Sequence, residues 1–297
     1  MPEPLLAMHS QRQHPQVFSC EFFPPHNEEG AAKLRDTRAK LASLHPAFFS
    51  VTYGAGGSTR DRTVEVILDI QLNSAIAAAP HLTCIASTRE SIRAILNHYR
   101  SHGIQRIVAL RGDLPSGMRT AGEFRYANEL VEFIRAETHD HFHIEVAAYP
   151  EFHPQATSVE HDLANFQRKI AAGANGAITQ YFYNIDAYCR FIDSCEKRGI
   201  DLPIVPGIMP ITNFAQLARF SDMCGAEIPR WIRRRLEGFG DDRESIRAFG
   251  LEVVTDLCRR LLERGAPGLH FYTMNQAGLT MAIWQHLGLS EQANVLP

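Results

Sequence analysis

The chain repeats a shape, not a set of residues. A short apolar, β-prone run stops at a polar loop stiffened by proline or glycine, and a helical stretch follows. The clearest instance is residues 143–154, HIEVAAYPEFHP. Residues 144–148 are apolar apart from Glu145, and Tyr149, Pro150, Glu151, His153 and Pro154 then arrive together. Proline cannot extend a helix or a central strand, so the run ends there. Comparable runs lie at 17–21, 48–52, 79–83, 107–110, 177–180, 203–205 and 269–271. Helical spacing fills most of the gaps between them. This alternation predicts an α/β fold, a (β/α)8 TIM barrel with extra helices between strands seven and eight. In such a barrel the functional face is the one at the carboxyl ends of the strands.

Composition agrees with one large core. The chain has 297 residues and is 45% hydrophobic. No linker or composition break is visible, so 1–297 reads as a single catalytic domain. Residues 1–15 read as a loose N-terminal arm. The net charge of −3 points to neither a nucleic-acid nor an anionic-membrane partner. The sharpest basic cluster, Arg230, Arg233, Arg234 and Arg235, reads as a solvated helix face. No run approaches the roughly 20 apolar residues that span a bilayer. The six cysteines form no CxxC pair, and no closely spaced histidine set suits a metal. A reduced, cytoplasmic protein without a metal is expected.

Several strand-end residues have chemistry to offer. Glu21 sits between Cys20 and Phe22-Phe23. A carboxylate among aromatics loses hydration, which suits it to deliver a proton near neutral pH. The plainer alternative is a strand-end glutamate paired with an arginine. Arg111 and Asp113 bracket Gly112, a residue that lets backbone approach a ligand; an internal ion pair bracing a turn is the alternative. Asp162, Asn165 and Lys169 line one side of a helix beside its apolar stripe, placed for a cofactor's polar arm or for a salt-bridge row. Gln180 ends the sixth run, and an amide offers donor and acceptor to a flat heterocycle.

In order, the segments SCEFFPP, FFSVTYGAGGS, APHLTC, IVALRGDLP, VAAYPEFHP, ANGAITQYFY, PGIMPITNF and HFYTMNQ resemble the methylenetetrahydrofolate reductase family. The resemblance implies an FAD-binding barrel that reduces 5,10-methylenetetrahydrofolate to 5-methyltetrahydrofolate. It implies hydride from NADH or NADPH passed by a ping-pong scheme, and a place in methionine synthesis. It further implies a homo-oligomer, tetramer or dimer, and no C-terminal regulatory domain of the kind that larger family members append. Glu21 matches the acid that opens the methylene bridge, and Asp113 the aspartate near flavin and pterin. Thr52, Tyr53, Ala55, His81, Arg111 and Gly112 match flavin contacts. So do Tyr126, Ala127, Tyr149, His153 and Ala156, and further along Asp162, Asn165, Arg168 and Lys169. Thr52 and Gln180 match positions beside nicotinamide or pterin, and Gln216 and Phe220 positions near the folate. Gln276 stands where the family commonly has arginine, so the usual contact to the folate's carboxylated tail is not expected there.

Two other classes fit a barrel of this kind: a folate enzyme moving a one-carbon group without redox chemistry, and a non-catalytic folate or flavin carrier.

Overall fold

In a computed structural model, the chain is described over residues 8–52, 57–113 and 122–289, without the side chains of 57–61. The order is α1 (His9–Arg12), β1 (Val17–Phe22), α2 (Glu28–Ala42), β2 (Phe48–Val51), α3 (Gly57–Asn73), β3 (Ala77–Thr83), α4 (Arg89–Ser101), β4 (Arg106–Leu110), α5 (Ala127–Thr138) and β5 (His143–Ala148). Then come α6 (Val159–Ala171), β6 (Gly176–Thr179), α7 (Ile185–Glu196), β7 (Ile204–Val205), β8 (Gly207–Ile208), α8 (Phe214–Cys224), α9 (Arg230–Phe239), α10 (Arg243–Arg264), β9 (Gly268–Tyr272) and α11 (Gly278–His286).

The strands form one sheet in the order β7-β6-β5-β4-β3-β2-β1-β9-β8. β7 and β8 are two halves of one segment, interrupted at Pro206. Proline has no N–H to give a ladder, although the Pro206 carbonyl still accepts from His270 N at 3.0 Å. Counted as one strand, these halves leave eight strand positions, and the order closes on itself. The fold is therefore the expected (β/α)8 barrel. Helices α8, α9 and α10 fill the connection between β8 and β9, as the spacing predicted.

Strands buried on both faces need apolar residues without alternation. β2 and β6 are buried at every position. Helix starts are also locally encoded. Thr88 accepts from Ser91 N, and Ser91 reaches back to Thr88, a complete capping box for α4. Asn213 and Asp242 cap α8 and α10 through their side chains.

The chain divides into two compact units. One comprises Met1–Phe18, Ala148–Ala164 and Ile178–Pro297; the other comprises Ser19–Ala147 and Asn165–Ala177. In the second, Phe22 and Phe49 meet edge to face at 5.1 Å. In the first, Phe182 stacks on Tyr188 at 5.4 Å, and Trp284 lies against Phe18.

The expectation of a loose arm over 1–15 needs correction where the arm is described. Gln11 is 1% exposed; its amide donates to Leu202 O at 3.2 Å and accepts from Ile204 N at 2.8 Å. Ser10 N donates to Glu196 at 2.9 Å, and Arg12 to Glu263 O at 2.8 Å. A polar sequence hid this docking, because its partners lie 186 to 251 residues away.

Candidate active site

In the Ser19–Ala147 unit, register decides which side chains meet. Glu21 pairs with Ser50, and Ser50 with Ala79. Side chains alternate along a strand, so His81, two residues past Ala79, shares the face of Glu21. The structure brings them together: His81 Nε2 lies 3.2 Å from Glu21 Oε2. Both are buried, Glu21 at 8% and His81 at 7% exposed. The contact is an ion pair only if the histidine is protonated, and its geometry falls short of a hydrogen bond. The partner shown for Glu21 is thus a histidine, where the plainer reading had an arginine.

Arg111 and Gly112 follow β4. Arg111 O accepts from Ile85 N at 2.9 Å, and Arg111 Nε donates to Gly112 O at 3.2 Å. Gly112 has φ +82, and a Cβ there would stand 2.9 Å from Thr83 Cβ and 3.0 Å from Ile85 Cγ2. A Cβ at this position would therefore crowd the end of β3. Asp113 is exposed. The buried Cys84 thiol donates to Arg111 O and to Tyr126 O, each at 3.7 Å. Burial pushes that thiol up to about 12, so it acts as a neutral tether. Tyr126 is 57% exposed and precedes Ala127, the first residue of α5. Thr52 N donates to Phe22 O at 2.9 Å, and Thr52 O accepts from the buried Thr63 hydroxyl at 3.2 Å. Tyr53 and Ala55 lie outside the described residues.

On α6 in this unit, Lys169 donates to Ala147 O, and Arg168 to Asn165. In the polar line read from the helix spacing, Lys169 thus reaches main chain at the end of β5.

The other unit holds the loop after β5. Asp162 accepts from His153 N at 2.9 Å, and Ala156 N donates to His153 O at 2.8 Å. Tyr149 and His153 meet edge to face at 4.6 Å. After β6, Gln180 N donates to Ala148 O at 2.8 Å. Tyr149, Glu151, Gln180, Tyr181 and Cys224 line one crevice. Burial raises Glu151 above the usual carboxylate range, although Oε2 accepts from Glu227 N at 2.8 Å. On α8, Gln216 N donates to the capping Asn213 at 2.8 Å, and the Arg219 guanidinium lies 5.6 Å from the Phe220 ring. Gln276 is exposed; its N donates to Thr273 O at 2.9 Å.

Backbone strain also gathers in these loops. Ala86, Phe152, Met274 and Asn275 follow β3, β5 and β9, and each has φ between 52 and 59. Non-glycine residues in that region persist only where surroundings fix them, and such positions favour functional sites. Sequence reasoning missed these positions; a bulky Phe or Met gives no local sign of a left-handed turn. It also gave no sign of the contact between the Tyr181 hydroxyl and Ser221, forty residues away.

Comparison with known proteins follows the same lines. The family model described as methylenetetrahydrofolate reductase matches residues 6–288. The 5,10-methylenetetrahydrofolate reductase of Escherichia coli (strain K12) is 45% identical over 271 residues, 91% of this chain and 90% of that protein. Methylenetetrahydrofolate reductase (NADH) 1 of Arabidopsis thaliana is 38% identical over 292 residues, 94% of this chain and 49% of that longer protein. A solved structure from Clostridium thermocellum, an uncharacterized protein that binds two copies of 5-methyl-5,6,7,8-tetrahydrofolic acid, shares the fold with a TM-score of 0.65 at 15% identity. It covers 98% of this chain and 99% of its own. Co-linear motifs, strand-end placement and identity over nine-tenths of the chain converge: the chain belongs to the methylenetetrahydrofolate reductase family.

Proposed function

We propose that the protein reduces 5,10-methylenetetrahydrofolate to 5-methyltetrahydrofolate as an FAD-dependent enzyme, using a reduced nicotinamide in a separate half-reaction. The observation that carries this reading is the buried Glu21–His81 pair at the ends of β1 and β3. Opening the methylene bridge of the folate to its reactive iminium needs a proton at the departing amine. Glu21 delivers it, shielded from bulk water and held beside His81.

The residues present suit FAD. Arg111, Arg168 and Lys169 are cations for a diphosphate, Asn165 and Asp162 offer polar groups to ribityl and ribose hydroxyls, and the uncovered Tyr126 ring offers a stacking face. His81 Nε2 is buried without a hydrogen-bond partner, which leaves it a polar valence for a bound group. Bound FAD would supply the hydride relay between nicotinamide and folate. We assign to the same set Thr52, Tyr53, Ala55, Gly112, Ala127, Tyr149, His153 and Ala156. Asp113 is assigned to the flavin's polar edge and the pterin. Gln180, Gln216, Phe220 and Gln276 are assigned to the folate or nicotinamide.

The donor is NADH in preference to NADPH, in line with the plant relatives named for NADH. The protein works in the cytoplasm as one catalytic domain, forms a homo-oligomer, supplies methyl groups for methionine synthesis and engages neither nucleic acid nor membrane. Among the described residues no helix is long and apolar enough to cross a membrane. Exposed Met223 and Trp231 support self-association.

The deciding experiment is optical. Purified protein is expected to be yellow, to bleach with NADH without oxygen, and to recolour with methylenetetrahydrofolate. Colourless protein that takes up no FAD would favour one-carbon transfer without redox chemistry, and bound flavin without turnover would favour a carrier.

A further inference from the structure

We propose that Tyr181 is a positioning residue for substrate binding: its main-chain N–H turns the Gln180 amide outward as a donor, and its hydroxyl pins α8 to the turn after β6. This rests on the assignment of Gln180, Gln216 and Phe220 to the folate and nicotinamide.

The first half of the device is local. Gln180 is fixed at its own main chain by the bond to Ala148 O. Tyr181 N then donates to Gln180 Oε1 at 3.0 Å. An N–H can only face an acceptor, so this contact decides which end of the amide is oxygen. The NH2 end is left for a ligand, and the matching chemistry is a carbonyl-type acceptor. A carboxamide and an oxo-pterin both carry one, which explains how one amide serves two unlike substrates in turn.

The second half is tertiary. The Tyr181 ring is 3% exposed, and its hydroxyl lies 3.0 Å from Ser221 Oγ. The Cys224 thiol donates to the same hydroxyl at 3.5 Å. Ser221 directly follows Phe220, and Gln216 and Phe220 are four residues apart, on one face of α8. Burial keeps the phenol protonated at any working pH. One residue thus links the amide on the strand end to the helix carrying the other two assigned contacts. Its neighbours Tyr183 and Tyr272, with ring centroids at 6.0 and 6.4 Å, pack on the ring and do not need the hydroxyl.

Tyr181→Phe removes the hydroxyl and keeps the ring and the N–H. In the flavin-loaded protein, the expected result is a five- to tenfold weaker Kd for 5-methyltetrahydrofolate by calorimetry, about the loss of one buried hydrogen bond. The KM for methylenetetrahydrofolate should rise equally while kcat stays within about twofold. Ser221→Ala removes only the stronger of the two hydroxyl contacts and should lose as much or somewhat less, and the double variant should be no worse than Tyr181→Phe, which has already removed the shared bond. Gln180→Glu keeps the acceptor for Tyr181 N–H but replaces the donors, and should weaken both substrates. Unchanged affinity in Tyr181→Phe and Ser221→Ala, additive losses in the double variant, or tight binding by Gln180→Glu would each overturn the proposal. Should Tyr181→Phe not fold, Ser221→Ala decides. If the parent protein itself binds no folate, the assignment of the site fails; if it binds and the variants match it, only the role of Tyr181 fails.

Discussion

Glu21 and Glu151 are both carboxylates in loops or strand ends, yet their surroundings give them different tasks. Glu21 has a histidine within reach, and Glu151 only a main-chain N–H. Replacing Glu21 with Gln should spare flavin reduction by nicotinamide and slow reoxidation by methylenetetrahydrofolate by about 10²- to 10⁴-fold. Rapid mixing of each half-reaction checks this, and equal loss in both would remove the folate-specific role. For Glu151 the sign follows from burial. Its folded-state value is raised above the ordinary 4.5, so it stabilises the fold below that pH and that contribution is lost as pH rises through the raised value. Glu151→Gln should therefore be more stable than the parent at pH 7 in urea titrations, with the gap closing below pH 4.5. A gap that is constant with pH would refute the burial account. At this scale the sequence showed where polar groups leave the strands, because proline and glycine mark those points. It did not show which groups meet. The Glu21–His81 contact needs the register of three strands, and Glu145, buried between Arg106 and His143 at the strands' amino ends, looked like an ordinary strand residue.

Elements were legible where the signal is local. The capping box of α4 could be read from Thr88 and the first turn, and the glycine after that helix from the turn it closes. The stop at Pro206 was legible, but the resumption of the strand as β8 was not, because a two-residue strand carries no periodicity. Helix α8 shows how an element is held from several sides. Asn213 caps its start, Tyr181 holds its last turns, and Gly225 ends it at φ +74 with Pro154 Cγ only 2.7 Å from where a Cβ would be. Gly225→Ala pays a left-handed penalty and meets Pro154, so a loss of about 1–2 kcal/mol is expected in urea unfolding. Stability equal to the parent would mean that the loop around Pro154 yields freely.

At the scale of the molecule, the barrel was readable because its rhythm is repeated. What the rhythm could not carry is the way distant stretches complete one another's hydrogen bonding. The short α1 shows the consequence. The Gln11 amide answers the carbonyl of Leu202 and the N–H of Ile204, at the start of β7. Removing residues up to Pro15 would strand those two peptide groups, at about 1–3 kcal/mol each where water cannot reach them. Such a shortened protein should melt several degrees lower, and Gln11→Ala should reproduce part of the drop. A shortened form that melts with the parent would mean that solvent replaces the glutamine. In practical terms, the polar leader that invites trimming for crystallisation or tagging acts as a clasp, and a cut should fall before Met8.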